Sequence, residues 1–352
     1  MKKKLSYFLV AVLSMGSLVG CGGNATESSG SSDQPAQAAN SNSGAEGDVV
    51  TIAVGSAAPD TETSHYQQFL LKMKEQVEKE TNGTVKIEIH PNGELGGERE
   101  MIEAVQLGTL DATITGAGPL GNFAPSSNAL DFPFLFNDRE HAYKVLDGEI
   151  GQSISKELEP TGAKILVWAE NGFRNITNNT RPIKKPEDLK GIKIRTQENK
   201  VHLDTFKDYG ANPTPMAFTE LFTSMQQGVV DGEENPLSVI VPNKFFEVQK
   251  YMTLSDHFYQ AAPFVINTAK FESLTPDQQK ALQSAAEAAR DFERQFIFDM
   301  NEKFIETAKE GGMEILPAEE FDREAFVAAS ENVYKKYESE YGEVLKRIRE
   351  TK

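Results

Sequence analysis

Residues 49–108 read VVTIAVGSAAPDTETSHYQQFLLKMKEQVEKETNGTVKIEIHPNGELGGEREMIEAVQLG, and two hydrophobic periods alternate along them. Val49 to Val54 is a β-branched run that predicts a strand. After a Pro-Asp-Thr loop, Ser64 can cap a helix carrying Tyr66, Phe69, Leu70, Met73 and Val77 on one face. Asn82-Gly83 ends that helix. Val85, Ile87 and Ile89 then alternate with Lys86 and Glu88, the period of a strand. A second helix from Glu98 carries Met101, Ile102 and Val105 and stops before Gly108. Strand, helix, strand, helix is the signature of an α/β fold.

The same grammar continues downstream. Ile150, Ile154 and Leu158 recur at helical spacing, and Ala163 to Trp168 predicts a strand. A second run follows, with a strand over Ile192–Arg195, helices near Val201–Tyr209 and Thr219–Gln227, and a strand over Val229–Asp231. Two α/β lobes are the natural division. Thr275-Pro276-Asp277-Gln278 combines an N-cap, a proline at the first helical position and a glutamine at the third. The helix that starts there meets no stop before Gly311-Gly312, so at 1.5 Å per residue it spans roughly 50 Å. Such a helix is long enough to brace both lobes, with Leu282, Ala285, Ala289, Phe292, Phe296, Met300 and Phe304 as its apolar face; a break near its middle is the simpler alternative. Tyr334 to Lys352 predicts an amphipathic helix with a solvated face.

Upstream of Val49 the chain is not globular in composition. Lys2, Lys3 and Lys4 precede an apolar stretch from Leu5 to Val19, the pattern of a secretory signal in residues 1–20. It ends in Leu18-Val19-Gly20-Cys21, which resembles a lipobox and makes Cys21 the expected lipidation site, with an ordinary signal peptide as the alternative. Cys21 is the only cysteine in 352 residues, which excludes intrachain disulfides, thiolate metal sites and a cysteine nucleophile. Gly22 to Gly47 is too poor in large apolar side chains to bury a core, so residues 21–47 read as an anchor and flexible tether. The expected location is therefore outside the cytoplasm, lipid-anchored at the cell membrane. Lys and Arg number 36 against 53 Asp and Glu, a net charge of −17, and −20 once the three signal lysines are gone. That balance argues against a nucleic-acid partner. It does not argue against an anionic ligand, because charges are screened over roughly 8 Å and a local arginine in a dry cleft decides affinity.

Several motifs point to chemistry that the surrounding sequence does not support. Gly116, Gly118 and Gly121 match the dinucleotide spacing, but Asn122 to Pro125 continue as loop where the fingerprint needs a helix, so no cofactor is expected. Glu233-Glu234 beside Asp231 resembles a carboxylate pair, yet neighbours on an extended segment face opposite ways, and a solvated or capping role is expected. His65, His90, His141, His202 and His257 show no ligand spacing, so no metal is expected. Glu170-Asn-Gly-Phe-Arg174 follows a strand, where α/β sheets place ligand loops. Arg195 ends the next strand; from residues alone it serves equally as a surface cation.

Longer motifs carry a family resemblance. Gly191-Ile-Lys-Ile-Arg195 after Pro186-Glu-Asp-Leu189, Ala211-Asn-Pro-Thr-Pro-Met-Ala-Phe218, Gln227-Gly-Val-Val-Asp-Gly-Glu-Glu-Asn-Pro236 and Lys244-Phe-Phe-Glu-Val-Gln-Lys250 resemble the substrate-binding subunits of tripartite ATP-independent periplasmic (TRAP) transporters, the DctP family. The resemblance runs from Val49 to the C-terminal helices. It implies a bilobal periplasmic-binding-protein-like α/β fold, with lobe I over residues 48–171 and 261–300 and lobe II over 172–260 and 301–352. It also implies an ion pair between Arg195 and a ligand carboxylate, a second cation at Arg174, an orienting amide at Asn235 and an apolar wall at Phe218. Glu98, Asn171 and His65 stand where hydroxyls are read, although Glu98 serves equally as a cap for its own helix. Gly116 and Pro119 occupy positions where sialic-acid binders carry an acid and an arginine, which argues against sialate. A sugar acid such as a uronate or aldonate is the expected ligand and a C4-dicarboxylate the alternative. The implied partners are that acid and the transporter's membrane subunits. The rivals are an exported sugar-acid enzyme, for which no acid, base or metal set is visible, and the binding component of an ATP-driven importer.

Overall fold

The computed structural model describes residues 49–352; the signal stretch, Cys21 and the tether to Gly47 lie outside the described residues. Strands β1 (Val50–Ser56), β2 (Val85–His90), β3 (Ala112–Ile114), β4 (Ala163–Asn178), β5 (Lys193–Thr196), β6 (Asn212–Pro215), β7 (Gly232–Pro236), β8 (Tyr251–Asn267) and β9 (Glu314–Leu316) form one sheet among the described residues. Its order is β2-β1-β3-β8-β4-β7-β5-β6, with β9 added on β8. The helices are α1 (His65–Glu80), α2 (Glu98–Leu107), α3 (Arg139–Asp147), α4 (Glu149–Leu158), α5 (Lys200–Asp208), α6 (Phe218–Gln226), α7 (Leu237–Ile240), α8 (Thr268–Glu272), α9 (Pro276–Glu310), α10 (Arg323–Lys336) and α11 (Glu338–Glu350). Among the described residues no helix is long and apolar enough to cross a membrane.

The opening stretch folds as its periods dictate. The Ser64 hydroxyl accepts from Gln67 N, and Tyr66, Phe69, Leu70, Met73 and Val77 are all buried along α1. Gly108 takes a left-handed conformation at the end of α2.

Two strands make the sheet bilobal. At about 3.3 Å per residue, β4 and β8 each run roughly 50 Å, the length of both lobes. They pair antiparallel throughout, but β3 joins only the last turns of β8, at Phe264 to Ile266, whereas β7 joins only the end of β4, at Arg174 to Asn178. The register slips between Glu170 and Gly172 and again between Arg174 and Ile176. Such bulges bend a strand and re-aim its side chains, and Gly172, at φ 121°, takes the backbone conformation that favours glycine. Glu170 to Arg174 therefore lies inside a strand at the crossing between lobes and not in a loop after one. β8 was not foreseen: it is buried along most of its length, which removes the alternation that marks a strand.

Each half of the sheet is covered on both faces. Phe69 and Met73 of α1 pack with Ile52, Val54 and Phe264, and α2, α3 and α4 cover the opposite face around Trp168 and Val265. In the other half Phe206 and Phe326 pack with Ile176 and Ile194, while Leu221, Ile240 and Phe245 pack with Met252. Helix α9 is continuous over 35 residues and serves both halves: Leu282, Ala285 and Ala289 sit in the first core, Phe304 and Ala308 in the second. Its buried face shifts in the middle, where Glu293 and Ile297 turn inward and Phe292 is exposed, contrary to the expected apolar stripe. The reason is polar: Glu293 Oε2 accepts from Glu170 N at 3.0 Å and Arg294 Nη2 donates to Trp168 O at 2.7 Å, pinning α9 to β4 at the crossing. The C-terminal segment breaks at Tyr337 into two helices, and Tyr341, Leu345 and Ile348 of α11 pack among Phe132, Val145 and Leu146 of the first half.

Candidate functional site

The crossing of β4 and β8 lies beside a narrow cavity whose wall includes His65, Glu98, Asn171, Gln197, Phe218 and Asn235. These six residues come from five elements and the residue that follows a sixth. His65 opens α1, Glu98 opens α2, Asn171 sits at the β4 bulge, Gln197 follows β5, Phe218 opens α6 and Asn235 lies on β7. A larger, more open groove lies beside Arg139, Phe173, Arg294 and Phe298. Two of its arginines are already paired, Arg139 with Glu170 and Arg294 with Asp147, and the narrower cavity, where polar side chains from several elements converge, is the better ligand site.

A hydrogen-bonded chain links the two lobes across this cavity. His65 Nε2 lies 3.1 Å from Asn171 Oδ1, so the ring proton sits on Nε2 and Nδ1 is left as a bare, buried acceptor. Burial draws the His65 pKa down to about 3, and the ring is neutral. Asn171 Nδ2 donates to Gln260 Oε1 at 2.5 Å, Gln260 donates to Gln197 Oε1, and Gln197 Nε2 donates to Glu98 Oε2 at 3.3 Å. Glu98 does not cap its own helix: Gly97 is the cap residue, and Glu98 Oε1 accepts from Gly116 N at 2.8 Å. Burial raises the Glu98 pKa, and the Gly116 N–H and then Arg195 oppose that rise.

The two arginines occupy different settings. Arg195, only 1% exposed, does not itself line the cavity but lies against residues that do, with its guanidinium 6.0 Å from the Phe218 ring. Nε and Nη2 donate to Met216 O at 3.0 and 2.8 Å, while Nη1 is buried without a partner among the described residues. Burial lowers its pKa and the nearby Glu98 carboxylate raises it; a guanidinium stays charged under either influence. Arg174, fully buried, is already paired: Nε lies 2.5 Å and Nη2 2.9 Å from the Glu234 carboxylate, and Nη1 donates to Gln260 Oε1 at 2.5 Å. Gln260 in turn bonds Asn171 and Gln197 of the cavity wall.

Glu233 and Glu234 do face opposite ways, but neither is solvated. Both are fully buried because both faces of β7 are covered. Glu234 meets Arg174, with His202 Nδ1 and His257 Nε2 at 3.6 and 3.4 Å. Burial alone would raise its pKa, but the Arg174 charge holds it well below the usual range. Glu233 accepts from Thr177 Oγ1 at 2.7 Å and from Asn235 Nδ2 at 2.5 Å, and burial pushes it up to about 7. Asn235 is thus oriented by the residue two before it. Sequence reasoning missed Tyr66, Gln197, Gln260 and these supporting acids and histidines. Gln197 was within reach, since it follows Arg195 by two residues on an extended chain and shares its face.

Comparison with known proteins agrees with this architecture. Residues 54–340 match the DctP family, bacterial extracellular solute-binding protein, family 7. The 2,3-diketo-L-gulonate-binding periplasmic protein of Escherichia coli strain K12 is 40% identical over 261 residues, 74% of this chain and 79% of its own. A TRAP periplasmic solute-binding protein from Polaromonas sp JS666, solved with D-erythronate, superposes with a TM-score of 0.83 and 42% identity, covering 86% of this chain and 99% of the other. The sugar acid binding protein of Advenella mimigardefordensis strain DPN7T, solved with galactonate, gives a TM-score of 0.80 and 34% identity over 86% and 96% of the two chains. With the two lobes, the crossing strands and the match over most of its length, the chain belongs to the DctP family of bacterial extracellular solute-binding proteins.

Proposed function

We propose that this protein is the extracytoplasmic solute-binding component of a TRAP transporter and captures a small hydroxylated monocarboxylic acid between its lobes. The observation that carries the proposal is Arg195 Nη1, a buried charged donor without a partner beside an otherwise acidic and neutral polar cavity. A guanidinium fork matches a carboxylate, and Asn235 is placed to share that group. Among the described residues a second carboxylate would find no cation on the cavity wall: Glu98 is an acid, His65 is neutral, and Arg174 behind the wall is held by Glu234. That favours a sugar acid over a C4-dicarboxylate, in keeping with the erythronate, galactonate and diketogulonate that the relatives bind.

The lobes divide where the chain crosses between them, at Asn171-Gly172 and Gln260-Ala261, within the β4 bulge and its partner. Closure there brings Arg195 and Asn235 of one lobe against Glu98 and His65 of the other, and binding energy selects the closed state. Its partners are then the acid and the transporter's membrane subunits. The chain is exported and held at the membrane by lipid on Cys21. It binds and releases its ligand without chemistry, so it is not an enzyme.

A thermal-shift screen over aldonates, uronates and C4-dicarboxylates tests the ligand class. At a hundredfold excess over Kd a ligand adds about 2.7 kcal/mol, several degrees of melting temperature. The proposal expects the largest shift from a hydroxylated monocarboxylate. A larger shift from succinate or malate would overturn the class, and turnover of the acid during incubation would point to an enzyme.

A further inference from the structure

Tyr66 is the second residue of α1, and its position in the apolar pattern marks it as core. Its ring obeys the pattern: the side chain is buried and packs on His65 with centroids 4.0 Å apart. Its hydroxyl does not. Among the described residues the oxygen is buried with no hydrogen-bond partner, and the residue lines the same cavity as Glu98 and Asn171. Buried phenol groups ordinarily find a partner. Among the described residues His65 Nδ1 is a second buried atom without a hydrogen-bond partner, and it is an acceptor when the ring proton is donated to Asn171. Burial first, and then nearby Glu98 and Glu293, hold the phenol protonated, so its hydroxyl is a donor.

We propose that Tyr66 is a specificity residue whose hydroxyl donates to a hydroxyl group on the carbon chain of the bound acid, with His65 Nδ1 as the matching acceptor. A hydroxyl both accepts and donates, and only such a group satisfies a donor and an acceptor side by side. An unsubstituted carboxylic acid would leave both atoms unpaired, and sites of this kind reject analogues lacking the hydroxyl. The inference rests on the small-acid function proposed above.

Tyr66→Phe keeps the ring and removes only the oxygen. Calorimetric titration of parent and variant with D-erythronate, galactonate and butanoate, together with ligand-free melting, tests the assignment. The variant is expected to lose tenfold or more in affinity for a hydroxy acid that the parent binds, to treat butanoate as the parent does, and to melt no lower than the parent without ligand, because no protein partner is lost. Hydroxy-acid affinity within twofold of the parent, or a ligand-free melting temperature several degrees lower, overturns the assignment of Tyr66 alone. A parent that binds neither hydroxy acid overturns the small-acid function and this inference with it.

Discussion

Glu234→Gln keeps the shape of the side chain and removes its charge. The carboxylate that it neutralises lies 2.5 Å from Arg174 Nε and 2.9 Å from Nη2, and both side chains are fully buried. Water cannot replace the lost partner, so the guanidinium is left as an uncompensated buried charge. Removing one partner of such a pair costs about 3–5 kcal/mol. For about 300 folded residues, at roughly 2.1 cal/mol/K each, that is about 5–8 °C of melting temperature. Scanning calorimetry at neutral pH measures it directly. The Glu234 pKa is depressed in the folded protein, so its stabilisation is present above the unfolded value and is lost as pH falls through the folded one. The gap between parent and variant should therefore stay open from about pH 8 to pH 5 and narrow in stronger acid. Replacing both partners, Arg174→Met with Glu234→Leu, should recover much of the loss, because it is the unpaired charge that costs. A Glu234→Gln protein melting within 1 °C of the parent at pH 7 would refute the reasoning.

Two further predictions concern groups around the cavity. Glu233 holds its proton to about pH 7 when folded, against 4.5 for the ordinary group, so its stabilising contribution is full below 4.5 and is lost as pH rises to 7. The decline is on the order of 3 kcal/mol, and Glu233→Gln should flatten it in denaturant titrations at pH 5 and 7.5; an unchanged pH dependence would show that Glu233 ionises normally. Gly118→Ala would push a methyl group into the Gln197 amide, at a backbone conformation any residue adopts. Gln197 must swing away from Glu98 and Gln260, so ligand affinity should fall about tenfold while melting changes by no more than a few degrees. An unaltered Kd would remove Gln197 from the site.

The parts of the fold legible in the sequence are those with one solvated face. Helices α1, α2 and α4 show their periods because their outer residues are polar, and the Thr275 capping box announces α9 through local bonds alone. What the sequence hides is burial on both sides. β8 and β7 lack alternation for that reason, and Glu233 and Glu234 looked solvated because nothing local shows that Arg174, Thr177 and two histidines await them. The site divides in the same way. Arg195 and Asn235 stood out as candidates through motifs shared with a family, whereas the polar end of Tyr66 was concealed by an apolar pattern that describes its ring correctly. The chain from Asn171 through Gln260 and Gln197 to Glu98 joins residues distant in sequence and emerges only once the lobes meet.

The most direct measurement is the calorimetric affinity of Arg195→Ala beside the parent, using the hydroxy acid that shifts the parent's melting temperature most. Truncation removes the cation of a desolvated pair worth about 3–5 kcal/mol, which is a hundredfold or more in Kd. Loss of at least a hundredfold, with ligand-free melting changed by only a few degrees, is the result expected if Arg195 grips the carboxylate. An Arg195→Ala protein that binds the acid within threefold of the parent would contradict it.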